Sequence, residues 1–326
     1  MTQRTAQVMA CSNIAIAKYW GKADTELNLP AVPSLSMTLD GLRTVTRVTF
    51  DDELRTDEAT LDGEPLSGRP LARVTALLDR VRSIAGCSDR ARVESNNDFP
   101  TASGLASSAS GFAALALAAS RALKLGLSAG RVSGLARASS ASAARSIFGG
   151  YAALDAGARE AERVAPASHW ELAMLVAVTD PGPKSIGSTS GMQHTAQTSP
   201  YYREWIREAP RVFDEVKRAL LARELEPLGE AMEHSALLMH ASMMGARPAI
   251  VYLAPATLSV MSLVKRLRAD GLPAYFTMDA GPHVKVLTLP RHADEVALAL
   301  DEHPGVERVI RCGPGPDAHE LKPGAA

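Results

Sequence analysis

The sequence predicts an α+β protein built as two domains, and three observations predict it. At 326 residues the chain is longer than a single compact core usually serves. Hydrophobic residues make up 46% and charged residues 22%, the balance of an ordinary globular protein. Segments with strand alternation interleave with segments of helical period along the whole length. Two prolines and two glycines cluster within residues 180–187. They mark the expected division into domains 1–182 and 183–326.

The elements follow in order. "RTVTRVTF", residues 43–50, alternates and is rich in β-branched side chains, so it reads as a strand. "EATLDGEPLSG" sets an Asp-Gly turn between short extended pieces, a hairpin signal. "RPLARVTALLDRVRSIAG" carries apolar residues at helical spacing and ends in Gly86, a C-cap. "ARVESNN" is a strand leading into "DFPTASGLASSASGFAALALAASRALKL", where a proline turn, small residues and two glycines give way to an unbroken apolar helix. "SAGRVSGLARASSASAARSIFGG" predicts a short helix, then a second small-residue cluster and helix stopped by Gly149 and Gly150. "ELAMLVAVTD" is a buried strand. Residues 199–244 are helical, with breaks expected near Pro210 and Pro227. "LPAYFTMDAGPHVKVLTLP" gives two strands around a turn at residues 279–282. "RHADEVALALDEH" is an amphipathic helix, "VERVIRCG" a last strand, and "GPGPDAHELKPGAA" a loose tail.

Charge and composition exclude several classes of function. Lys plus Arg is 35 against 36 Asp plus Glu, which argues against broad electrostatic binding to nucleic acid or membranes. A local cationic pocket for a small anion remains open. Cys11, Cys87 and Cys312 show no CxxC spacing, so neither a zinc site nor a disulfide framework is indicated. The first residues lack a secretory apolar region, and no uncharged apolar run has bilayer length, so a cytoplasmic protein is expected. The eight histidines show no ligand spacing, and His234 and His240, six apart, read as structural or exposed.

Four stretches could carry chemistry. In residues 100–111, "PTASGLASSASG", a helix N-terminus offers unsatisfied N–H groups to an anion, glycine permits close approach, and Ser107 and Ser108 add hydroxyls. The stretch lacks the Walker pattern and its lysine, and a serine-capped helix start packed on a strand explains it equally well. In "SSASAARS", residues 139–146, Arg145 can grip a phosphate or carboxylate with its planar fork, or can be a surface arginine on a small-residue helix. In "NIAIAKYWGK", residues 13–22, Lys18 shares a strand face with Ile14 and Ile16 by period, and an inward lysine needs an anionic partner. The alternative is an edge strand with snorkelling lysines. In "TMDAGPHVK", Asp279 sits at a strand end, where a carboxylate can be a general base, a partner for Lys18 or Arg145, or the acceptor of an Asx turn.

Together and in this order, "NIAIAKYWGK", "FPTASGLASSASG", "ARSIFGGY" and "FTMDAGP" resemble the signatures of the diphosphomevalonate decarboxylases of the GHMP kinase superfamily. "VAPASHW", "STSGMQHTAQTSP" and "LMHASMMG" are weaker echoes, and the resemblance runs almost end to end. It implies an N-terminal half like ribosomal protein S5 domain 2, a ferredoxin-like C-terminal half, and an active site in the cleft between them. It implies ATP and Mg²⁺, and commonly a homodimer. The family phosphorylates the tertiary 3-hydroxyl of (R)-5-diphosphomevalonate, then releases phosphate and CO₂ to give isopentenyl diphosphate and ADP. By residue match, Asp279 would lie at the 3-hydroxyl as base or electrostatic stabiliser. Arg145 would hold the substrate carboxylate and orient Asp279, Asn13 would hydrogen-bond that carboxylate, and Lys18 would neutralise developing charge. Tyr19, Lys22, Ser140 and Ser142 would receive the diphosphate, with Met192 also on the substrate side. Pro100, Ser103, Gly104, Leu105, Ala106, Ser107 and Ser108 would cradle the ATP phosphates, Ser107 or Ser108 near Mg²⁺, and Ser95 and Asn96 near the nucleotide.

The sequence departs from the family pattern at several positions. Val32 and Pro33 stand where many members carry polar residues, His283 where Asn is usual, and Ala141 where Gly is common. Thr189 stands where some bacterial members have an arginine, and Arg73 or Lys184 are candidates to supply that charge. The departures keep two sibling activities open, an ATP-dependent phosphomevalonate decarboxylase and a mevalonate 3-kinase. A catalytically silent nucleotide-binding protein is the remaining alternative, disfavoured because Asp279 and Arg145 are both present.

Overall fold

The structure, a computed structural model, describes residues 4–99, 107–179 and 186–322. It opens with the long strand β1 (Arg4–Ala17), the short ribbon β2 (Lys22–Asp24) and β3 (Leu29–Pro30), and the long strand β4 (Ser34–Asp51). The hairpin β5 (Glu58–Leu61) and β6 (Glu64–Pro65) precedes α1 (Gly68–Ala85), β7 (Arg90–Asn97), α2 (Ser107–Ala122) and α3 (Ala129–Ser139). A 3-10 turn, Ala141–Ile147, leads to β8 (Tyr151–Leu154) and β9 (Glu162–Ala165). Then come β10 (Ala173–Val178), α4 (Ser188–Thr198), α5 (Tyr202–Ala222), α6 (Leu225–Met244) and α7 (Pro255–Ala269). The described chain closes with β11 (Tyr275–Met278), β12 (Val284–Thr288), α8 (Ala293–Asp301), β13 (Arg308–Cys312) and β14 (His319–Glu320).

Two sheets organise these elements. The larger runs β14-β1-β4-β7-β5-β6, with β8 on the first part of β4 and β9 on β8. The smaller is antiparallel and runs β11-β12-β10-β13. α1, α2 and α3 cover one face of the large sheet with an alanine-rich core that includes Ala113, Ala114, Ala116 and Ala118. α2 is apolar nearly all round because it is the central, buried helix of that layer. The other face, through Ile14, Ile16, Leu35 and Met37, shares one core with α5, α6 and one face of the small sheet. α7 and α8 pack with the remaining face, on Leu175, Phe276 and Val286.

Most sequence expectations hold at the level of elements. The Asp-Gly turn forms with positive φ at Asp62 and Gly63, and Gly86 caps α1 at φ 66°. The second small-residue cluster adopts a 3-10 turn rather than an α-helix. Pro210 does not break the helical region but lies inside α5. It is exposed, so the carbonyl it leaves without a donor can be hydrated. The break comes at Arg223, in the left-handed region at φ 59°. Pro227 sits in the first turn of α6, where its missing N–H costs nothing. The motif reading leaves α7 unassigned. The expected boundary at 182/183 lies outside the described residues, and β10, ahead of it in sequence, is hydrogen-bonded into the small sheet.

The tail is not loose. β14 pairs with β1, and Gly315 bonds across the sheet to Thr38 and Gly150. Ala318 N–H donates to the Ile147 carbonyl, and the Asp317 carboxylate accepts from the Gly149 N–H at 2.6 Å and from Arg163. Gly150 has φ 71°, and an added Cβ would lie 2.4 Å from the Ala167 backbone nitrogen, so only glycine fits this crossing.

Candidate active site

A cleft of about 590 Å³ opens where β1, the Ala141–Ile147 turn, α4 and the β11–β12 turn converge. β1 delivers Asn13 and Ala15 to it, and Lys18 enters just past the strand's end. Ile14 and Ile16 face the opposite core, so Lys18 does not share their side as strict alternation predicts. The cause is a register shift between Ala15 and Ala17, which turns the strand end by one position. Beyond β1 the chain is pinned from three helices. The Lys18 N–H donates to Ser235 Oγ, the Trp20 indole to Thr195 Oγ1, and the Trp205 indole to the Trp20 carbonyl.

Asp279 sits between two buried lysines. Its Oδ1 is 2.7 Å from Lys18 Nζ and its Oδ2 is 3.3 Å from Lys285 Nζ. Both lysines are almost wholly buried, whereas the Asp279 side chain keeps 27% of its surface, on the cleft side. Burial works to raise the Asp279 carboxyl, but the two ammonium groups and their hydrogen bonds outweigh it. They hold the carboxyl well below the usual carboxylate range. Burial also drives Lys18 down to about 8, against the pull of Asp279 and with the repulsion of Lys285 and Arg145. His240 of α6 faces the same group and is lowered to about 4 by burial and by Lys18, so it is neutral at pH 7.

Arg145 is buried at the 3-10 turn, with Nε on Ser36 Oγ at 2.9 Å, one terminal nitrogen on Ser34 Oγ at 2.5 Å and the other on Asn13 Oδ1 at 3.4 Å. The hydroxyls come from the first half of β4, where Ser34 and Ser36 alternate with Leu35 and Met37 and both faces are buried. Asn13 in turn donates to the Ser142 carbonyl and to Ser146 Oγ. Arg145 makes no hydrogen bond to Asp279 and acts on it through charge alone. Burial lowers it to about 10, which leaves it cationic at neutral pH. Three cations thus face one carboxylate, and the cleft is built for further negative charge.

The rim is mainly cationic, with Glu26 its one carboxylate among the described residues. Lys22, Arg69 and Arg73 line the cleft together, with Lys22 and Arg73 lowered by burial and by neighbouring positive charge. The Tyr19 and Ser139 hydroxyls, buried against the cleft, meet no hydrogen-bond partner among the described residues. Pro70, Arg73 and Ser108 line both this cleft and a smaller cavity at the start of α2. That cavity is lined by hydroxyl and amide groups from Thr44, Thr46, Ser95, Asn97 and Ser107 and by the apolar side chains of Leu61, Leu66, Phe112 and Leu115. An apolar wall beside a helix N-terminus suits a base and a phosphate chain. Ser110 hydrogen-bonds Ser12 and Thr44, which fixes α2 on the sheet beneath.

The structure brings Asn13, Lys18, Tyr19, Lys22, Ser108, Ser140, Ser142, Arg145, Met192 and Asp279 to one cleft, and Ser95, Ser107 and Ser108 to the adjoining cavity. Asn96 does not line it. It is exposed on the other face of β7, and Asn97 takes the inward position by alternation. Pro100, Ser103, Gly104, Leu105, Ala106 and Lys184 lie outside the described residues. Val32 packs with Trp20 and Met192, and buried His283 accepts the Thr179 N–H at Nδ1. Thr189 and Arg73 line the cleft. Sequence reasoning missed Lys285, Ser34, Ser36 and His240. "VKVLTLP" held a signal for the first: a lysine alternating with valines in a strand buried on both faces needs a carboxylate.

The fold is that of a GHMP kinase-type enzyme. The chain belongs to the diphosphomevalonate decarboxylase family. Residues 10–165 match the diphosphomevalonate decarboxylase-like N-terminal domain, and residues 174–311 match the mevalonate 5-diphosphate decarboxylase C-terminal domain. The diphosphomevalonate decarboxylase of Candida albicans is 32% identical over 96% of this chain and 97% of its own. The structure described as MDDEF in complex with MVAPP, AMPPCP and magnesium is 42% identical with a TM-score of 0.92, over 98% of this chain and 99% of that one. The mevalonate diphosphate decarboxylase of Staphylococcus aureus is 37% identical with a TM-score of 0.93, over the same shares.

Proposed function

We infer that the protein decarboxylates (R)-5-diphosphomevalonate with ATP, giving isopentenyl diphosphate, ADP, phosphate and CO₂. The observation that carries this reading is the ionised Asp279 carboxylate, held by buried lysines at a cleft whose other charged lining groups, among the described residues, are five cations and one carboxylate, Glu26. A tertiary hydroxyl leaves poorly and a phosphate leaves well, so ATP is spent to convert one into the other. Asp279 accepts the proton of the 3-hydroxyl as the γ-phosphoryl group arrives, and later faces the positive charge that grows at C3 as phosphate departs. Lys18, within reach of both Asp279 and the cleft, offsets charge on the transferring group. Arg145, fixed by Ser34 and Ser36, holds the substrate carboxylate until it leaves as CO₂, and Asn13 shares that carboxylate. The reaction rests on positioning and fixed charge rather than on a covalent enzyme intermediate.

The rim favours a diphosphate over a single phosphate or none. Lys22, the hydroxyls of Tyr19, Ser140 and Ser142, and Arg69 and Arg73 offer more charge and more donors than one phosphate uses. The α2 N-terminus with Ser107 and Ser108 fits the phosphates of ATP, and either hydroxyl would hold Mg²⁺, whose chemistry is to spread the charge of the phosphate chain. The two sheets fit two domains, with the pairing of β10 favouring a change-over just ahead of that strand. A homodimer and a cytoplasmic location follow the family resemblance. No described helix is long and apolar enough to cross a membrane.

The test is a side-by-side assay of mevalonate, its 5-phosphate and its 5-diphosphate with ATP and Mg²⁺. CO₂ and isopentenyl diphosphate from the 5-diphosphate alone support the reading. Turnover of the monophosphate, or phosphorylation of free mevalonate without CO₂, would assign a sibling activity instead.

A further inference from the structure

We propose that Lys285 is a positioning residue of this reaction: from behind the cleft it keeps Asp279 ionised and aimed while Lys18 turns to the transferring phosphoryl group. The proposal rests on the function inferred above. Its basis is the inequality of the two lysines. Both are buried, and each contacts a different oxygen of the same carboxylate, but only Lys18 lines the cleft. Lys285 rises from β12 on the face it shares with Leu287, beneath the turn that carries Asp279, and its Nζ also lies 3.4 Å from the His283 carbonyl. It touches Asp279 and does not line the cleft.

A single lysine could not do both tasks. An ammonium group drawn towards a phosphoryl oxygen gives up part of its hold on the carboxylate. A buried carboxylate without a counter-ion takes up a proton or swings away. With Lys285 fixed behind Oδ2, Asp279 keeps one cation throughout, and Lys18 is free to follow the charge. The groups facing Lys18 are Asp279 from the β11–β12 turn, Lys285 from β12, Arg145 from the 3-10 turn and His240 from α6. Of these, Lys285 and Arg145 repel it.

The sign of the test follows from that repulsion. Lys285→Met removes one positive neighbour of Lys18, so Lys18 stays charged to higher pH. Turnover should fall about 30- to 100-fold while the KM values for ATP and 5-diphosphomevalonate change less than about threefold. The alkaline limb of kcat/KM should move up by about 0.5–1 pH unit. Lys285→Arg should recover at least about tenfold of the loss. Parent-like turnover in Lys285→Met, or a loss with the alkaline limb unmoved or lowered, would overturn the proposal. If Lys285→Met does not fold, Lys285→Gln is read in the same way. If neither folds, Lys18→Met/Asp279→Asn/Lys285→Met should fold, because the buried ion-pair cluster is then removed whole; its failure would make Lys285 a packing residue. An inactive parent protein would instead count against the functional reading itself.

Discussion

Asp279 and Lys18 make opposite demands on pH. Asp279 must be ionised, and its lysine neighbours hold its carboxyl well below the usual carboxylate range. Lys18 must be charged, and burial brings it to about 8. A base with a lowered pKa is protonated below that value and neutral above it, so the loss lies on the alkaline side. We expect kcat/KM for 5-diphosphomevalonate to fall as pH rises through about 8. A profile flat from pH 7 to 9.5 would remove Lys18 from the charge-bearing role. Asp279→Asn should lower kcat by about 10³-fold with ATP affinity, read by calorimetry, nearly unchanged; near-parent turnover would take Asp279 out of the mechanism. Much of this was legible at the residue level. Asp279, Arg145 and Lys18 each stand where local chemistry demands a partner. Their pairing was less legible, because Lys18 and Asp279 are 261 positions apart and single-chain spacing says nothing of that distance.

At the scale of elements, the sequence spoke most clearly where one face of an element meets water. The second half of β4 alternates buried and exposed residues and was readable as a strand. Its first half is buried on both faces, so the Ser34 and Ser36 side remained hidden although it holds Arg145. Lys18 was placed on the wrong side of β1 for a related reason: a strand period carries no notice of a register shift at Ala15–Ala17. Likewise α5 runs through Pro210 because only tertiary packing says which face is wet. The crossing at Gly150 supplies an element-scale test. Gly150→Ala adds a Cβ within 2.6 Å of three backbone atoms at a φ that alanine avoids, and should lower stability by about 2–3 kcal/mol in denaturant titrations. A change below about 0.5 kcal/mol would show that the Ala165–Ala167 backbone gives way.

Over the whole molecule, the site draws on parts made far apart in the chain: β1, the Ala141–Ile147 turn, α4, α6 and the β11–β12 turn. Binary patterning conveyed the two-sheet plan but not the return of the tail. "GPGPDAHELK" is polar and rich in glycine and proline because it bonds through backbone and one carboxylate rather than through apolar burial. Removing residues beyond Gly313 should lower Tm by at least about 5 °C. It should also cost catalytic efficiency, since the tail supports Ile147, two residues from Arg145 in the same turn. A truncated protein with unaltered Tm and activity would show the clamp to be dispensable.

That clamp also has a bearing on how the protein is born. β14 and the Gly315 crossing leave the ribosome after every other element in the structure, yet they complete a sheet whose first strand emerged at the outset. Throughout translation, then, β1 waits with one edge unpaired, a surface open to chaperones or to the same edge of a neighbouring nascent chain. Arg145's turn waits with it, so binding competence should arrive only once this last strand has joined the sheet, not as the N-terminal half folds.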